Sequence, residues 1–324
     1  MLGRWLTGLS VLLCASAGAL AQSPADSWPS RTVRVIVPIA AGSGIDIVAR
    51  AVSQQLAKQL GRPFVIENRP GAATTTGAAA VAGAAPDGYT ILFHSVALTV
   101  TPSTMANLPY EVTRDLAGIM PITNTPLLLV TPPGKFKSVG DLVAEAKAEN
   151  GTMNYATPGY GAAAHFTTER FRLSAGFEAQ QIPFRGTVEA VTEVVAGRVA
   201  FYFAPLTTVQ SLNQEGRLDA LATTSKKRVS TLPNVPTTIE AGYPDSDFDF
   251  WVGMFVPAKT PRDVVDKLYT ESRRAAELPE LRAQLAAIGG EPMEAMTPGE
   301  FDDYVRKEIA RNAAIAKAAG IKPK

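Results

Sequence analysis

Short β-branched apolar runs alternate along this chain with longer stretches whose apolar residues recur every three or four positions. Val33–Val37, β-branched and apolar but for Arg34, reads as a buried strand. Beyond it, Val48, Val52, Leu56 and Leu60 share one face, which predicts a helix over Ile47–Leu60 that Gly61 stops. Phe64–Ile66 and Tyr89–Phe93 read as further strands. Between them lie a Gly/Ala/Thr-rich loop and helix from Pro70 to Ala85, then a turn at Pro86-Asp-Gly88.

A second group of elements begins near Leu127–Val130. Ser138 to Glu149 is predicted helical, with Ser138-x-x-Asp141 as its capping signal. Met153–Tyr155, Gln180–Ile182 and Val199–Phe203 read as strands, and Thr187–Ala196 as a helix ended by Gly197. Leu218–Thr223 is a strand expected to lead back to the first group. After the proline-punctuated Leu232–Pro236 comes the strand Trp251–Val256. The last quarter is helical. Thr297-Pro-Gly-Glu300 sets an N-cap, an N1 proline and an N3 glutamate in order, and Gly320 sits where a C-cap is expected. Strand–helix alternation predicts an α/β fold. Two α/β groups with no disordered linker predict two lobes joined by crossing strands, with a cleft between them.

The first 21 residues read as a cleavable secretory signal: Arg4, the apolar region begun by Leu9–Leu13, and Ala19-Leu-Ala21 before Gln22. The apolar stretch is too short for a membrane anchor and no stop-transfer pattern follows. Leu13 is too large for the residue that precedes a lipidated cysteine, which argues against lipidation at Cys14. Removing Arg4 takes one from the 31 basic residues and leaves them level with the 30 acidic ones. That balance carries no polyanion signature and argues against nucleic acid. Cys14 is the single cysteine, so the mature chain has neither a disulfide framework nor thiol chemistry. Export without cysteine points to a bacterial periplasm.

Four segments carry candidate chemistry. In Pro38–Asp46 a strand runs through a glycine loop into a helix, so backbone amides and a helix N-terminus converge on one point, a geometry that favours an anion. Gly42 and Gly44 permit close backbone approach. Asp46 has two compatible readings, an N-cap and a ligand contact. The loop has no Gly-Lys-Ser/Thr and no G-x-G-x-x-G, so it is a poor phosphate site. Thr157 to His165 repeats the design: Thr157 and the amides around Gly159, Gly161 and Ala162 are placed to hold a carboxylate, and His165 is either a packing residue or a ligand contact. In Pro183-Phe-Arg-Gly-Thr187, Arg185 either pairs an acid or is a solvated surface residue. Thr74-Thr-Thr76 either caps a helix or faces the cleft, with capping the simpler reading. His94 and His165 are the only histidines and show no metal-ligand spacing, and Gly42-Ser-Gly44 is not a nucleophile elbow. No catalytic residue, metal or cofactor is therefore assigned.

These residues resemble the extracytoplasmic solute-binding proteins of tripartite tricarboxylate transporters, the Bug-type proteins. The resemblance rests on Trp28-Pro-Ser-Arg-Thr-Val-Arg-Val-Ile-Val-Pro38, Gly42-x-x-x-Asp46-Ile-Val-Ala-Arg50, Glu67-Asn-Arg-Pro-Gly71, Ala85-Pro-Asp-Gly-Tyr-Thr90 and Gly159-x-Gly161…His165. Leu232-Pro-Asn-Val-Pro-Thr237, Glu240-Ala-Gly242 and Trp251-x-Gly253 ahead of Pro257-Ala258 complete it. It implies a two-lobed periplasmic binding protein of the second structural type, with a hinged cleft. Residues 22–126 and 225–324 would form one lobe and 127–224 the other. It further implies a small organic acid held by the two glycine loops through amides, hydroxyls and waters. Carried over, the ligand contacts are Ile39, Ala40, Gly42, Ser43, Gly44, Asp46, Thr74, Thr157, Gly159, Gly161, Ala162, His165 and Arg185.

The chain departs from the family pattern at several of these positions. Ile39 replaces a usual Phe, Ser43 a common Gly, and Ala162 a common Ser or Thr. Ala73-Thr-Thr-Thr76 replaces a more glycine-rich run, and Val199–Ala204 lacks two frequent aspartates. The expected pocket is more apolar than usual, suited to an aromatic or short aliphatic acid. The expected role is capture by a monomer that delivers the acid to membrane permease subunits. The alternatives are presentation to a sensor kinase and, with no spacing motif behind it, an exported enzyme using His165, Arg185 and Asp46.

Overall fold

The computed structural model describes residues 27–323; the expected signal segment 1–21 lies outside them. Eleven strands are described. Six of them, β1 (Val33–Val37), β2 (Phe64–Asn68), β3 (Thr90–Ser95), β4 (Leu116–Asn124), β10 (Trp251–Pro257) and β11 (Glu291–Pro292), form a sheet in the order β11-β4-β10-β3-β1-β2. β1 runs parallel to β2 and β3, while β10 is antiparallel to β3 and β4. Both faces of this sheet are covered, which fits its nearly continuous apolar strands. One face packs on the helices Gly44–Leu60, Arg262–Ala276 and Pro279–Ala287. The other packs on Thr75–Ala82, Ala97–Thr104 and Pro298–Ala318.

The second body is built on β5 (Leu127–Thr131), flanked by β8 (Tyr202–Pro205) and β9 (Asp219–Thr223), both antiparallel to it. β6 (Asn154–Thr157) and β7 (Gln180–Pro183) form a parallel pair, and β6 meets β8's lead-in through a Tyr155–Phe201 bridge. This body has its own core, centred on residues such as Leu129, Phe171, Phe201 and Phe203.

Several local expectations hold. Ser138 accepts from the Asp141 amide as N-cap, and Thr297 and Glu300 close a capping box behind Pro298. Other boundaries shift. The first helix starts at Gly44 rather than Ile47, and its N-cap is Ser43, not Asp46. The strand expected at Met153–Tyr155 lies at Asn154–Thr157, and that expected at Val199–Phe203 lies at Tyr202–Pro205. The strand expected at Leu218–Thr223 is β9, beside β5, and the chain after it leads back to the first sheet through the crossing at Thr224 and Phe248–Trp251. β4 has no sequence signal of its own because Pro121 breaks its ladder. The Val252/Gly253 register shift in β10 takes up that proline. Trp251-x-Gly253 also has a physical reason. A side chain at Gly253 would start 2.6 Å from the Phe301 ring, so glycine lets the last helix lie on the sheet.

Two strands of chain cross between the bodies, at Asn124–Leu127 and around Thr224 and Phe248–Trp251. They bond to one another: Thr125 N donates to Phe250 O at 3.0 Å, Thr224 N to Leu127 O at 3.0 Å and Thr224 Oγ1 to Phe248 O at 2.8 Å. The buried Thr224 hydroxyl thus laces the crossing together.

Candidate functional site

Strand directions place the two glycine loops on either side of this crossing. β4 ends at the crossing and runs in the same sense as β1, so the loop after β1 lies at that edge of its sheet. β5 starts at the crossing, and β8, antiparallel to it, ends there. β6 shares the direction of the chain entering β8, so the loop after β6 lies at the facing edge. Loops beyond the carboxyl ends of parallel strands, at a change of topology, are where α/β proteins hold ligands.

In the first loop, Ser43 is extended and caps the helix by accepting from Asp46 N at 3.4 Å. Asp46 is buried at the third helical position. Its Oδ2 accepts from the Gly42 amide at 2.9 Å and from Arg50 Nε at 2.8 Å; its Oδ1 accepts from Asn68 Nδ2 at 2.8 Å. Burial pushes this carboxyl up, but bonds from Arg50, the Gly42 amide and Asn68 outweigh it and hold it below the usual carboxylate range. Asn68 also donates to Ile39 O at 3.0 Å, tying the loop's start to its end. Asp46 and the Gly42 amide thus bond one another and help shape the loop. The amides of Gly44 and Ile45, at the first two helical positions, have no acceptor among the described residues. Ile39, Ala40, Gly42, Ser43 and Gly44 all retain solvent exposure. Asn68 and Arg50 stand in the motifs Glu67-Asn-Arg-Pro-Gly71 and Gly42-x-x-x-Asp46-Ile-Val-Ala-Arg50, but nothing local in the sequence shows that they meet at Asp46. Gly77 completes the loop's seating, since a side chain there would start 2.7 Å from Pro38 Cβ.

The second loop repeats the device with different atoms. Gly161 takes φ +73° and donates its amide to His165 Nδ1 at 3.1 Å. That donor fixes the neutral tautomer, with the proton on Nε2. Desolvation lowers the His165 pKa against the pull of Glu169, and Arg172 lowers it further, so the ring stays neutral. The ring stacks on Tyr155, whose hydroxyl donates to the buried Glu169 at 2.6 Å. The Gly161 amide and His165 Nδ1 thus bond one another and shape the turn, leaving Nε2–H as the ring's remaining donor. Ala162 is the N-cap of the helix Ala163–Ala175 and supplies no capping side chain. The amides of Ala163 and Ala164 have no acceptor among the described residues. Thr157 is fully buried, and its Oγ1 accepts from Gln181 Nε2 at 2.8 Å. Gly159 borders open space.

The remaining two candidates flank these loops: Arg185 follows β7, whose end bonds the end of β6 through Phe184 N to Thr157 O at 2.8 Å. Arg185 is exposed and makes no ion pair among the described residues; its amide donates to Glu189 at 3.0 Å at the start of the next helix. Thr74 occupies the N-cap position of the helix Thr75–Ala82 but its side chain makes no capping hydrogen bond. It sits in the left-handed region at φ +78°, and its buried Oγ1 has no partner among the described residues. Beside it His94 is wholly buried, with Nδ1 3.0 Å from Ser95 O; burial lowers its pKa to about 4. No group of three His, Cys, Asp or Glu among the described residues could hold a metal, and no described helix is long and apolar enough to cross a membrane.

Residues 48–321 match the profile of the tripartite tricarboxylate transporter family receptor. The chain is 34% identical over 316 residues to the Bordetella pertussis protein BugT, covering 97% of each. A Rhodopseudomonas palustris protein solved with adipate superposes with a TM-score of 0.75 at 30% identity, over 92% of this chain and all of that one. MatC of the same organism, with bound malate, gives 0.71 at 29% identity, over 89% and 99%. With a periplasmic binding protein fold, paired glycine loops and near-complete coverage by these relatives, the chain belongs to the tripartite tricarboxylate transporter receptors of the Bug type.

Proposed function

We propose that this chain captures a small organic carboxylate between two lobes, residues 22–126 with 225–324 and residues 127–224, and delivers it to permease subunits of a tripartite transporter. The observation that carries the reading is the pair of helices opening at the crossing with unpartnered leading amides, Gly44 and Ile45 on one side, Ala163 and Ala164 on the other. An anion at each helix terminus contributes on the order of 1 kcal/mol, and each bond to a charged group roughly 1.5–3 kcal/mol. Micromolar binding, about −8 kcal/mol, is within reach after the cost of closure. Only closure brings both sets of donors to one anion, so ligand shifts the population toward the closed form. The bound adipate and malate of the two relatives support a carboxylate as the class.

The chain works as a monomer in the periplasm after loss of residues 1–21, and it holds its ligand without transforming it. The direct contacts are the backbone around Ile39–Gly44 and Gly159–Ala164, with His165 Nε2 and Thr157 behind them. Arg185 completes the rim. A panel of mono-, di- and tricarboxylates and aromatic acids raises the melting temperature of the mature protein. A panel without any shift overturns the reading. Gly161→Val removes the response, because Gly161 has positive φ and its added Cβ would lie 3.1 Å from Thr104 Cγ2. Mass spectrometry recovers the acid unchanged after long incubation. Neighbouring permease genes separate delivery to a transporter from presentation to a sensor kinase.

A further inference from the structure

Away from the glycine loops, a cavity of about 290 Å³ lies between the two bodies. Its floor is apolar: Met120 and Ile122 of β4, Leu285 of the helix Pro279–Ala287, and Leu206 of the opposing helix Leu206–Gln214. Among the polar side chains of the wall are Arg282 from the first body and Gln210 from the second. Neither has its main polar capacity occupied. Arg282 uses only Nε, on Ala276 O at 3.2 Å, and makes no ion pair among the described residues. The Gln210 side chain makes no hydrogen bond among them. Of the other wall charges, Arg273 lies 3.4 Å from Glu277, and Glu291 makes no ion pair among the described residues but accepts from Ser230 Oγ at 2.7 Å. One border of the cavity is in tight contact. A Cβ at Gly289 would lie 2.4 Å from Thr207 Cγ2, so only glycine lets the two bodies meet there.

We infer that this interlobe cavity is a second ligand site, for an amphipathic monocarboxylate whose chain lies on Met120, Ile122, Leu206 and Leu285 and whose head is held between Arg282 and Gln210. The apolar wall with few convergent polar groups is the usual composition of a small-molecule pocket. An unpaired guanidinium selects a carboxylate, and a chain of several methylenes selects the floor. Because the two head-group donors sit on different bodies, this site is complete at one interlobe spacing only. Occupancy is therefore coupled to closure, and the coupling acts equally in both directions.

Octanoate is the probe, titrated calorimetrically into the full mature chain. The expected result is binding that survives Gly161→Val, which blocks the glycine-loop cleft, and is lost in Ala286→Trp, which fills the cavity from its exposed side. Arg282→Gln weakens it roughly tenfold or more, the equivalent of one charge-assisted bond, and needs no change in packing if the tryptophan variant fails to fold. No octanoate binding to the unsubstituted chain overturns the inference. So does loss in Gly161→Val with retention in Arg282→Gln, which assigns octanoate to the cleft. Neither outcome bears on whether the cleft holds a carboxylate of its own.

Discussion

The amide of Gly161 donates to Nδ1 of His165 at 3.1 Å, four residues on, just as the amide of Gly42 donates to the carboxylate of Asp46. In both loops a side chain in the first helical turn reaches back and fixes the glycine preceding the helix. Removing the His165 ring leaves the Gly161 amide without its acceptor and loosens the turn that aims Ala163 and Ala164. His165→Ala is expected to cost roughly 1–3 kcal/mol of stability and to lower the carboxylate-induced melting shift further than that loss alone explains. A variant with unchanged ligand response would detach His165 from the site.

Ala162 leaves its helix without a side-chain cap. Its backbone is already extended, as an N-cap requires (φ −68°, ψ 159°). Ala162→Ser should therefore stabilise the protein by about 1 kcal/mol, read by urea unfolding. The new hydroxyl also adds a polar donor where the anion is proposed to sit, so selectivity should move toward more polar acids in the same panel.

Two buried groups contribute to the pH dependence in opposite senses. Burial lowers the His94 pKa to about 4. Between its unfolded value of about 6.5 and that pH, the unfolded chain binds a proton the folded chain does not, so stability falls as pH drops through this window. Asp249 behaves oppositely. Desolvation raises its pKa to about 6, with Lys226 and Arg170 opposing and Asp247 and Glu308 reinforcing. Its contribution is present at low pH and lost as pH rises through about 6. Asp249→Asn keeps an acceptor for Asn124 Nδ2, which lies 2.8 Å from the carboxylate. It should raise the melting temperature at pH 7.5 and leave it nearly unchanged at pH 4. Equal shifts at both pH values would remove ionisation as the cause.

Arg170 joins the bodies on the same helix that begins at the second loop. Its Nη2 donates to Glu308 at 2.9 Å and Asn312 at 3.3 Å, and its Nη1 to Asp247 O at 2.6 Å. Four residues earlier, Phe166 is buried in the first body's core, whereas Phe171 belongs to the second body's core. Arg170→Met leaves a buried carboxylate short of its partner and is expected to cost about 3 kcal/mol. The figure is at the lower end because Arg311 lies 3.6 Å from Glu308. Equilibrium denaturation measures it, and a loss below 1 kcal/mol would mean the contact adds nothing to the junction.

By itself the sequence determined the α/β class, the order of most elements, the capped helix starts at Ser138 and Thr297, and the two glycine loops. All of these depend on neighbours a few residues apart, through periodicity, capping and φ preference. The tertiary structure alone decided which atoms in those loops remain free. Asp46 looked available until Asn68, distant in sequence, closed on it, and Thr157 until Gln181 did the same. It also decided that Leu218–Thr223 stays beside β5, that Pro121 fits inside a strand, and that the helix Ala163–Ala175 belongs to both bodies. Those outcomes turn on sheet register and on side chains meeting across long stretches of chain, and local patterning carries no record of such meetings.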